Sequence, residues 1–301
     1  MSKATDWRVG VSSASYEDRT NGFLPREMFE AYREGGIDCL EISVSDGCEK
    51  QIDFKKTVQL SKEYGIELWS YHLPFMSIDV ADLDKDERER AFNYQAEIIK
   101  KVGDIGIKTF VLHPSGEPCT KEERLERIKV AKDTIAKLAC VAGEVGSIIA
   151  VEDLPRTCLG NCSSEIKELI SVDDRLKVCF DTNHLLIESN ADFIKAVGDR
   201  IHTLHVSDYD FLNEQHWMPY EGDIDWVELV SLLEKVNYKG PFMYELRLNP
   251  PATGTINRRK FTYADFRENY LALINKKPAK AIGVKNPEAL EKRAYFKTKQ
   301  F

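Results

Sequence analysis

Four short apolar runs in this chain each stop at a residue able to bind a metal or move a proton. Val178-Cys179-Phe180 stops at Asp181, Ser147–Val151 at Glu152, Ile201–Leu204 at His205, and Pro241–Tyr244 at Glu245. Such a run reads as a buried parallel strand whose C-terminal end opens into a polar site. Two Glu, one Asp and one His at successive strand ends make a mixed nitrogen and oxygen ligand set for one divalent cation. The bland alternative for each carboxylate is a helix cap or an ion-pair partner. A charge that ends an apolar strand is costly without a cation, which favours the metal.

The histidines point the same way. Five of the six (His72, His113, His184, His205 and His216) fall at an expected strand end or in the loop after one, and only His202 lies inside a strand. A lone histidine is more often a packed residue than a ligand, but five on one rim shift that balance.

The elements that must position these groups alternate along the chain. Expected strands are 7–13, 38–44, 66–71, 108–112, 147–152, 175–181, 201–206 and 241–246. Expected helices lie near 25–34, 51–64, 85–104, 120–143, 163–172, 191–198, 225–236 and 261–275. Thr120 with Glu123 is spaced as a capping box, and Ser163 and Asp225 are candidate N-caps. Eight strand–helix pairs without a composition break predict an α/β fold, a single (β/α)8 barrel over 1–275, with a basic C-terminal extension over 276–301. A doubly wound sheet is disfavoured, because Val9-Gly10-Val11 leads into two serines and not a glycine-rich turn.

The chain has 301 residues, 43% hydrophobic and 31% charged, an ordinary globular balance. No apolar stretch approaches the roughly 20 residues needed to span a bilayer, and the N-terminus lacks a secretory h-region. Seven cysteines, an odd number at irregular spacing, suit free thiols and a cytoplasmic address. Cys158 and Cys162 lack the second pair that a zinc site would want. The net charge of −8 argues against a nucleic-acid partner. Residues 276–301 carry eight Lys or Arg against two Glu, so this segment is +6 and the remainder −14. The simplest reading is a solvated extension that packs on, or peels from, an acidic body. A homo-oligomer stays open.

Several stretches resemble the xylose isomerase-like barrel superfamily, which holds sugar (phosphate) isomerases and epimerases together with endonuclease IV-type repair enzymes. They are Val-Leu-His113-Pro, Val-Glu152-Asp-Leu-Pro, Cys-Phe-Asp181-Thr-Asn-His184, Leu-His205-Val-Ser-Asp208, the segment from Gln215-His216 to Trp226, and Tyr-Glu245-Leu-Arg247. The resemblance implies that Glu152, Asp181, His205 and Glu245 ligate one Mn2+, Mg2+, Co2+ or Zn2+. It further implies that Glu152 and Glu245, from opposite sides of the barrel, act as base and acid on a carbohydrate through a metal-stabilised ene-diolate. His184 would hold a substrate oxygen, and His72, His113 and His216 are further substrate-binding candidates.

Four ligands on a six-coordinate ion leave two positions for vicinal sugar oxygens, which agrees. Arg247 and Arg156 are candidates to meet a phosphate or carboxylate, and Trp69, Phe75, Trp217 and Tyr220 to wall a sugar face. Glu41 is expected in the barrel mouth, bonded to a ligand or a histidine, and Asp208 is expected to orient His205 or a neighbouring strand-end group. The main rival is a multi-metal phosphodiesterase acting on abasic DNA, for which Glu214 completes nine candidate ligands; that family's Asp-x-His is here Glu214-Gln-His216. A dehydratase of a polyol-derived ketone is a third reading.

Overall fold

Strands and helices alternate along the computed structural model, which describes residues 3–16 and 24–293. In chain order they are β1 Val9–Ser12, α1 Arg26–Glu34, β2 Cys39–Ile42, α2 Phe54–Tyr64, β3 Glu67–His72, α3 Lys85–Gly103, β4 Thr109–Leu112 and α4 Lys121–Glu144. There follow β5 Ile148–Glu152, α5 Ser163–Ile170, β6 Lys177–Asp181, α6 Asn190–Val197, β7 Ile201–His205, α7 Trp226–Lys235, β8 Phe242–Tyr244, β9 Ile256–Asn257 and α8 Tyr263–Ile274. The first eight strands form one parallel sheet in the order β7-β6-β5-β4-β3-β2-β1-β8. It closes where Val206, just past β7, pairs with Tyr244 and donates its N–H to the Met243 carbonyl at 2.8 Å. The expected single (β/α)8 barrel is the observed fold.

β1, β2 and β4 are buried at every residue, because helices cover the ring outside and side chains fill it inside. The ring interior is tight. A Cβ on Gly10 would lie 2.7 Å from the Met243 side chain and 2.8 Å from Cys39 Sγ, so Met243 enters the axis only because residue 10 has no side chain.

Asp225 caps α7 as expected, accepting from the Glu228 amide at 2.9 Å, and Thr120 caps α4, accepting from the Glu123 amide at 3.3 Å, which is one half of the expected capping box. Ser163 does not cap α5. It is the first helical residue, and its N–H and hydroxyl both donate to the Glu188 carboxylate at 2.6 Å. The helix expected from 51 begins at Phe54, behind a short 3-10 turn, with Asp53 accepting from the Lys56 amide at 3.0 Å. β8 ends at Tyr244, so Glu245 and Arg247 stand on the loop that follows and not within a strand.

The basic segment after residue 275 lies against acidic side chains. β10 Val284–Lys285 pairs antiparallel with β9, and α9 Pro287–Glu291 follows. Gly283 N–H donates to Glu221 at 2.7 Å, Lys285 Nζ to Asp223 at 2.7 Å, and the Tyr220 hydroxyl to the Lys277 carbonyl at 3.2 Å. Residues 294–301 of the expected extension fall outside the described residues. Among the described residues, no helix is long and apolar enough to cross a membrane.

Candidate metal centre and active site

The four strand-end residues meet at the C-terminal mouth of the ring. Register brings them there: Asp181 pairs with His205 across β6 and β7, and Glu152 pairs with Cys179, two residues before Asp181. Ligand atoms of Glu152, Asp181, His205 and Glu245 all lie within 4.8 Å of one another. Asp181 and His205 are fully buried, and the side chain of Glu152 is 1% exposed and that of Glu245 17%.

Hydrogen bonds fix the imidazoles. The Nε2 of His205 lies 3.0 Å from Glu41 Oε1, whose other oxygen accepts from the Ser70 hydroxyl at 2.8 Å. A carboxylate only accepts, so Nε2–H of His205 donates to Glu41 and Nδ1 is the nitrogen left facing the cluster. Nδ1 lies 3.1 Å from Glu152 Oε1 and 3.4 Å from Glu245 Oε2, so it either donates a proton to these carboxylates or would give its lone pair to a cation seated between them. Around the rim the tautomer is reversed. His72, His184 and His216 each place Nδ1 against a backbone carbonyl (Leu73 at 2.9 Å, Asp153 at 2.9 Å, Glu245 at 3.1 Å). Their Nε2 atoms are left for the site.

The donor set fits a divalent cation. Asp181 Oδ2 and Glu152 Oε2 are buried without a hydrogen-bond partner, a costly state for carboxylate oxygens. The Nε2 atoms of His72 and His113 approach Glu152 Oε2 to 3.3 and 3.2 Å, but without hydrogen-bond alignment. Burial pushes Asp181 up to about 6, against the pull of His184. Glu245 is held down to about 2: burial works to raise it, and His205, His216 and His72 outweigh that. Burial also opposes a charge on His184, but Asp181, Glu152 and Glu214 raise it to about 9.

Above the cluster a cavity of about 1250 Å³ opens between the βα loops. Glu152, Glu245, His72, His113, His184 and His216 border it, whereas Asp181 and His205 lie beneath its floor.

Residues 29–263 match the model of the xylose isomerase-like TIM barrel family. The chain belongs to that family. An uncharacterised protein of Methanocaldococcus jannaschii is 23% identical, over 91% of this chain and 92% of its own length. The D-psicose 3-epimerase of Enterocloster bolteae is 23% identical, over 70% of this chain and 72% of its own. A probable endonuclease 4 of Mycoplasmoides gallisepticum is 32% identical, over 38% of each chain. Among solved structures, a D-tagatose 3-epimerase-like protein superposes with a TM-score of 0.73 at 20% identity, over 89% of this chain and 98% of the other. At that identity the likeness speaks for the barrel alone.

Not every expected site residue of this family member sits where the sequence placed it. Asp208 does not touch His205. It accepts from the amides of Tyr209, Tyr220 and Ile224 and from the Trp226 indole, and so holds the loop between β7 and α7. Trp69 lies three residues before the mouth, bonded to Thr203 at 3.1 Å and stacked on His202, too deep to meet a ligand. Trp217 is buried beneath Lys285, and Tyr220 is tied to Lys277; of the four aromatics Phe75 alone borders the cavity, stacked on His113 at 4.0 Å. Arg156 is occupied by Glu117 at 2.9 Å and Glu214 at 2.8 Å. Arg247 is exposed at the cavity's edge, away from the four-residue cluster. Glu152 ends β5 and Glu245 follows β8, three strands apart around the ring of eight.

Asp153 and Asn183 carry more than their sequence signal promised. Asp153 Oδ1 accepts the Asp181 amide at 2.8 Å while its carbonyl orients His184, and Asn183 Oδ1 accepts the Gln215 amide at 2.8 Å. Both are the residue beside a strand-end group, which is the one clue the chain offered.

Proposed function

We propose that the chain is a divalent-metal-dependent isomerase or epimerase of a sugar, sugar phosphate or sugar acid. Glu152, Asp181, His205 and Glu245 would hold one Mn2+, Mg2+, Co2+ or Zn2+. The observation that carries this reading is the division within the cluster: Asp181 and His205 are sealed below, while both glutamates border the cavity. A cation held by these four residues would polarise a substrate carbonyl and acidify the hydrogen on the adjacent carbon. Glu152, at the end of β5, and Glu245, on the loop after β8, would reach a small substrate from different elements. One removes that hydrogen as base, and the other returns a proton to the opposite face of the carbon. Inversion makes an epimerase; return to the neighbouring carbon makes an isomerase. The surrounding histidines favour the anionic form of both glutamates, so either can begin as the base, and the one that serves as acid must first take up a proton. Nε2 of His72, His184 and His216, with His113, lies ready to hold substrate oxygens, and Arg247 stands at the mouth for an acidic substituent. The epimerase named among the relatives supports the carbohydrate class.

Glu152→Gln and Glu245→Gln should each cut solvent-deuterium exchange into a ketose by roughly 100- to 10,000-fold, with the far-UV circular dichroism unchanged. Wild-type exchange in either variant would sink the mechanism.

A multi-metal phosphodiesterase is the second reading, favoured by the separate group His184, Glu214 and His216. Against it, Glu214 already carries a cation, Arg156. Elemental analysis of the purified protein and of the His72→Ala/His113→Ala variant separates the two. About one metal per chain, unchanged in the variant, supports the isomerase; two or three zinc ions, lost in part, support the phosphodiesterase.

A further inference from the structure

Two neighbouring loops wall one side of the cavity, and both carry residues of the candidate site. Residues 206–225, between β7 and α7, bring Glu214, Gln215 and His216 to it; residues 245–262, between β8 and α8, bring Glu245, Arg247 and Asn249. The first loop is strained. Six described residues other than glycine have a positive φ, and three of them, Phe211 at 59°, His216 at 51° and Tyr220 at 76°, belong to this loop. A side chain in that left-handed region is costly and persists only where its surroundings over-determine it.

The C-terminal segment supplies much of that hold. The half-buried Arg293 guanidinium donates to the side-chain carbonyl of Gln215, the residue before His216. Gln215 also donates from Nε2 to Asp210 at 3.1 Å and from its amide to Asn183 at 2.8 Å, so it is fixed from three sides. Tyr220 gives its hydroxyl to the Lys277 carbonyl at 3.2 Å. Between these anchors in the chain, Gly283 N–H donates to Glu221 at 2.7 Å, and the other oxygen of Glu221 takes the Met218 amide at 3.1 Å. The same segment grips the second loop. β10 pairs with β9, and Asn286 N–H donates to the Thr255 carbonyl at 2.9 Å. Arg258, next to β9, carries this hold to the cavity wall by donating to the carbonyls of Arg247, Leu248 and Asn249 at 2.7 to 2.9 Å. Such an approach needs a residue without a side chain at 283. A Cβ there would stand 2.3 Å from Ile256 Cγ2 and 2.6 Å from Glu221 Oε1, one contact on each loop.

We infer that residues 277–293 are a clasp that fastens the two loops together, and that Arg293 is a positioning residue, acting through Gln215 to keep the His216 imidazole at the substrate. The clasp stands on its own contacts; its bearing on turnover rests on the carbohydrate reading above. Without the Arg293 bond the strained backbone at His216 relaxes, and a misplacement of about 1 Å at a substrate-holding group is enough to be felt. Glu152, Asp181 and His205 are set by strand register outside both loops, so the loss falls on substrate binding.

The test uses the full chain and three variants: Arg293→Ala, Arg293→Lys and Gly283→Val. Amide hydrogen exchange, read by mass spectrometry, should quicken by about 10-fold over residues 209–223 in Arg293→Ala and Gly283→Val. It should quicken over 247–257 in Gly283→Val alone, return toward the wild-type rate in Arg293→Lys, and stay unchanged over 148–152 and 177–181. Unaltered exchange over 209–223 in Arg293→Ala or in Gly283→Val, or a change that spreads to those strands, overturns the clasp. Solvent-deuterium exchange into D-fructose with added Mn2+ tests the positioning role. Arg293→Ala should raise KM by about 10-fold with kcat within about 3-fold of the wild type, and Arg293→Lys should restore KM. An unmoved KM, or one that lysine does not restore, overturns that role. The two arms also keep the clasp separate from the proposed function. Loops that loosen as stated, in a protein that exchanges nothing into five- or six-carbon ketoses, leave the clasp standing and count against the isomerase. Exchange into fructose with loops indifferent to the variants does the reverse.

Discussion

The proposed metal centre would depend on a residue outside its ligand set. Glu41 takes the Nε2–H of His205 at 3.0 Å and is itself held by Ser70, all three fully buried. Losing that acceptor frees the imidazole to adopt the other tautomer, which turns a proton toward the cluster in place of a lone pair. Glu41→Leu, which removes the acceptor, should weaken Mn2+ binding by about 10- to 100-fold, read by calorimetry on the chelator-treated protein; unaltered affinity would assign Glu41 to packing alone. At this scale the sequence was generous about identity and poor about direction. An apolar run that stops at Asp181 or Glu152 announces a buried carboxylate. Which nitrogen of His205 faces inward is set by Glu41, 164 residues away, and no local pattern encodes that.

The loop between β7 and α7 shows what an element needs beyond strands and helices. It carries Glu214 and His216 to the cavity edge, and it is organised by Asp208, whose two oxygens accept from three amides and one indole. Gly222 packs against that carboxylate, where a Cβ would come within 2.1 Å of Asp208 Oδ1. Asp208→Ala leaves four buried donors unanswered. It should cost roughly 2–4 kcal/mol in urea unfolding and speed proteolytic cutting within 209–225; an unchanged midpoint would mean that water replaces the carboxylate. The barrel strands were legible because two-sided burial writes itself as continuous apolar residues. Element ends were less so. Thr120 and Asp225 announce helices by their type, whereas α2 starts later than expected, behind Asp53, α5 starts on a carboxylate borrowed from Glu188, and β8 is only three residues long. The basic segment was legible as charge but not as structure, because its partners, Glu221 and Asp223, lie more than 60 residues upstream.

Across the whole molecule the barrel separates chemistry at one end from stability at the other. Five histidines stand at or above the C-terminal mouth, but His202, second residue of β7, sits deeper in the ring. There it stacks on Trp69 and lies 3.1 Å from the Thr109 hydroxyl. Burial, aided by Lys177, depresses its pKa from 6.5 to about 4. The unfolded chain therefore binds the proton first, and between about 4 and 6.5 it holds more protons than the fold does. Stability from the neutral ring is complete above about 6.5 and is lost as the pH falls toward about 4. Below about 4 nothing further is lost from this group. His202→Gln keeps an amide in reach of Thr109 and removes the titration. The wild type should thus lose roughly 2 kcal/mol more than the variant between pH 7 and pH 4.5, measured as the difference in urea midpoints on the metal-free proteins. Using metal-free protein matters, because acid would also strip any cation held at the mouth, and that loss would fall on both proteins and blur the comparison. Parallel pH profiles would place the acid sensitivity of the fold in the carboxylates of the mouth and not in the interior of the ring.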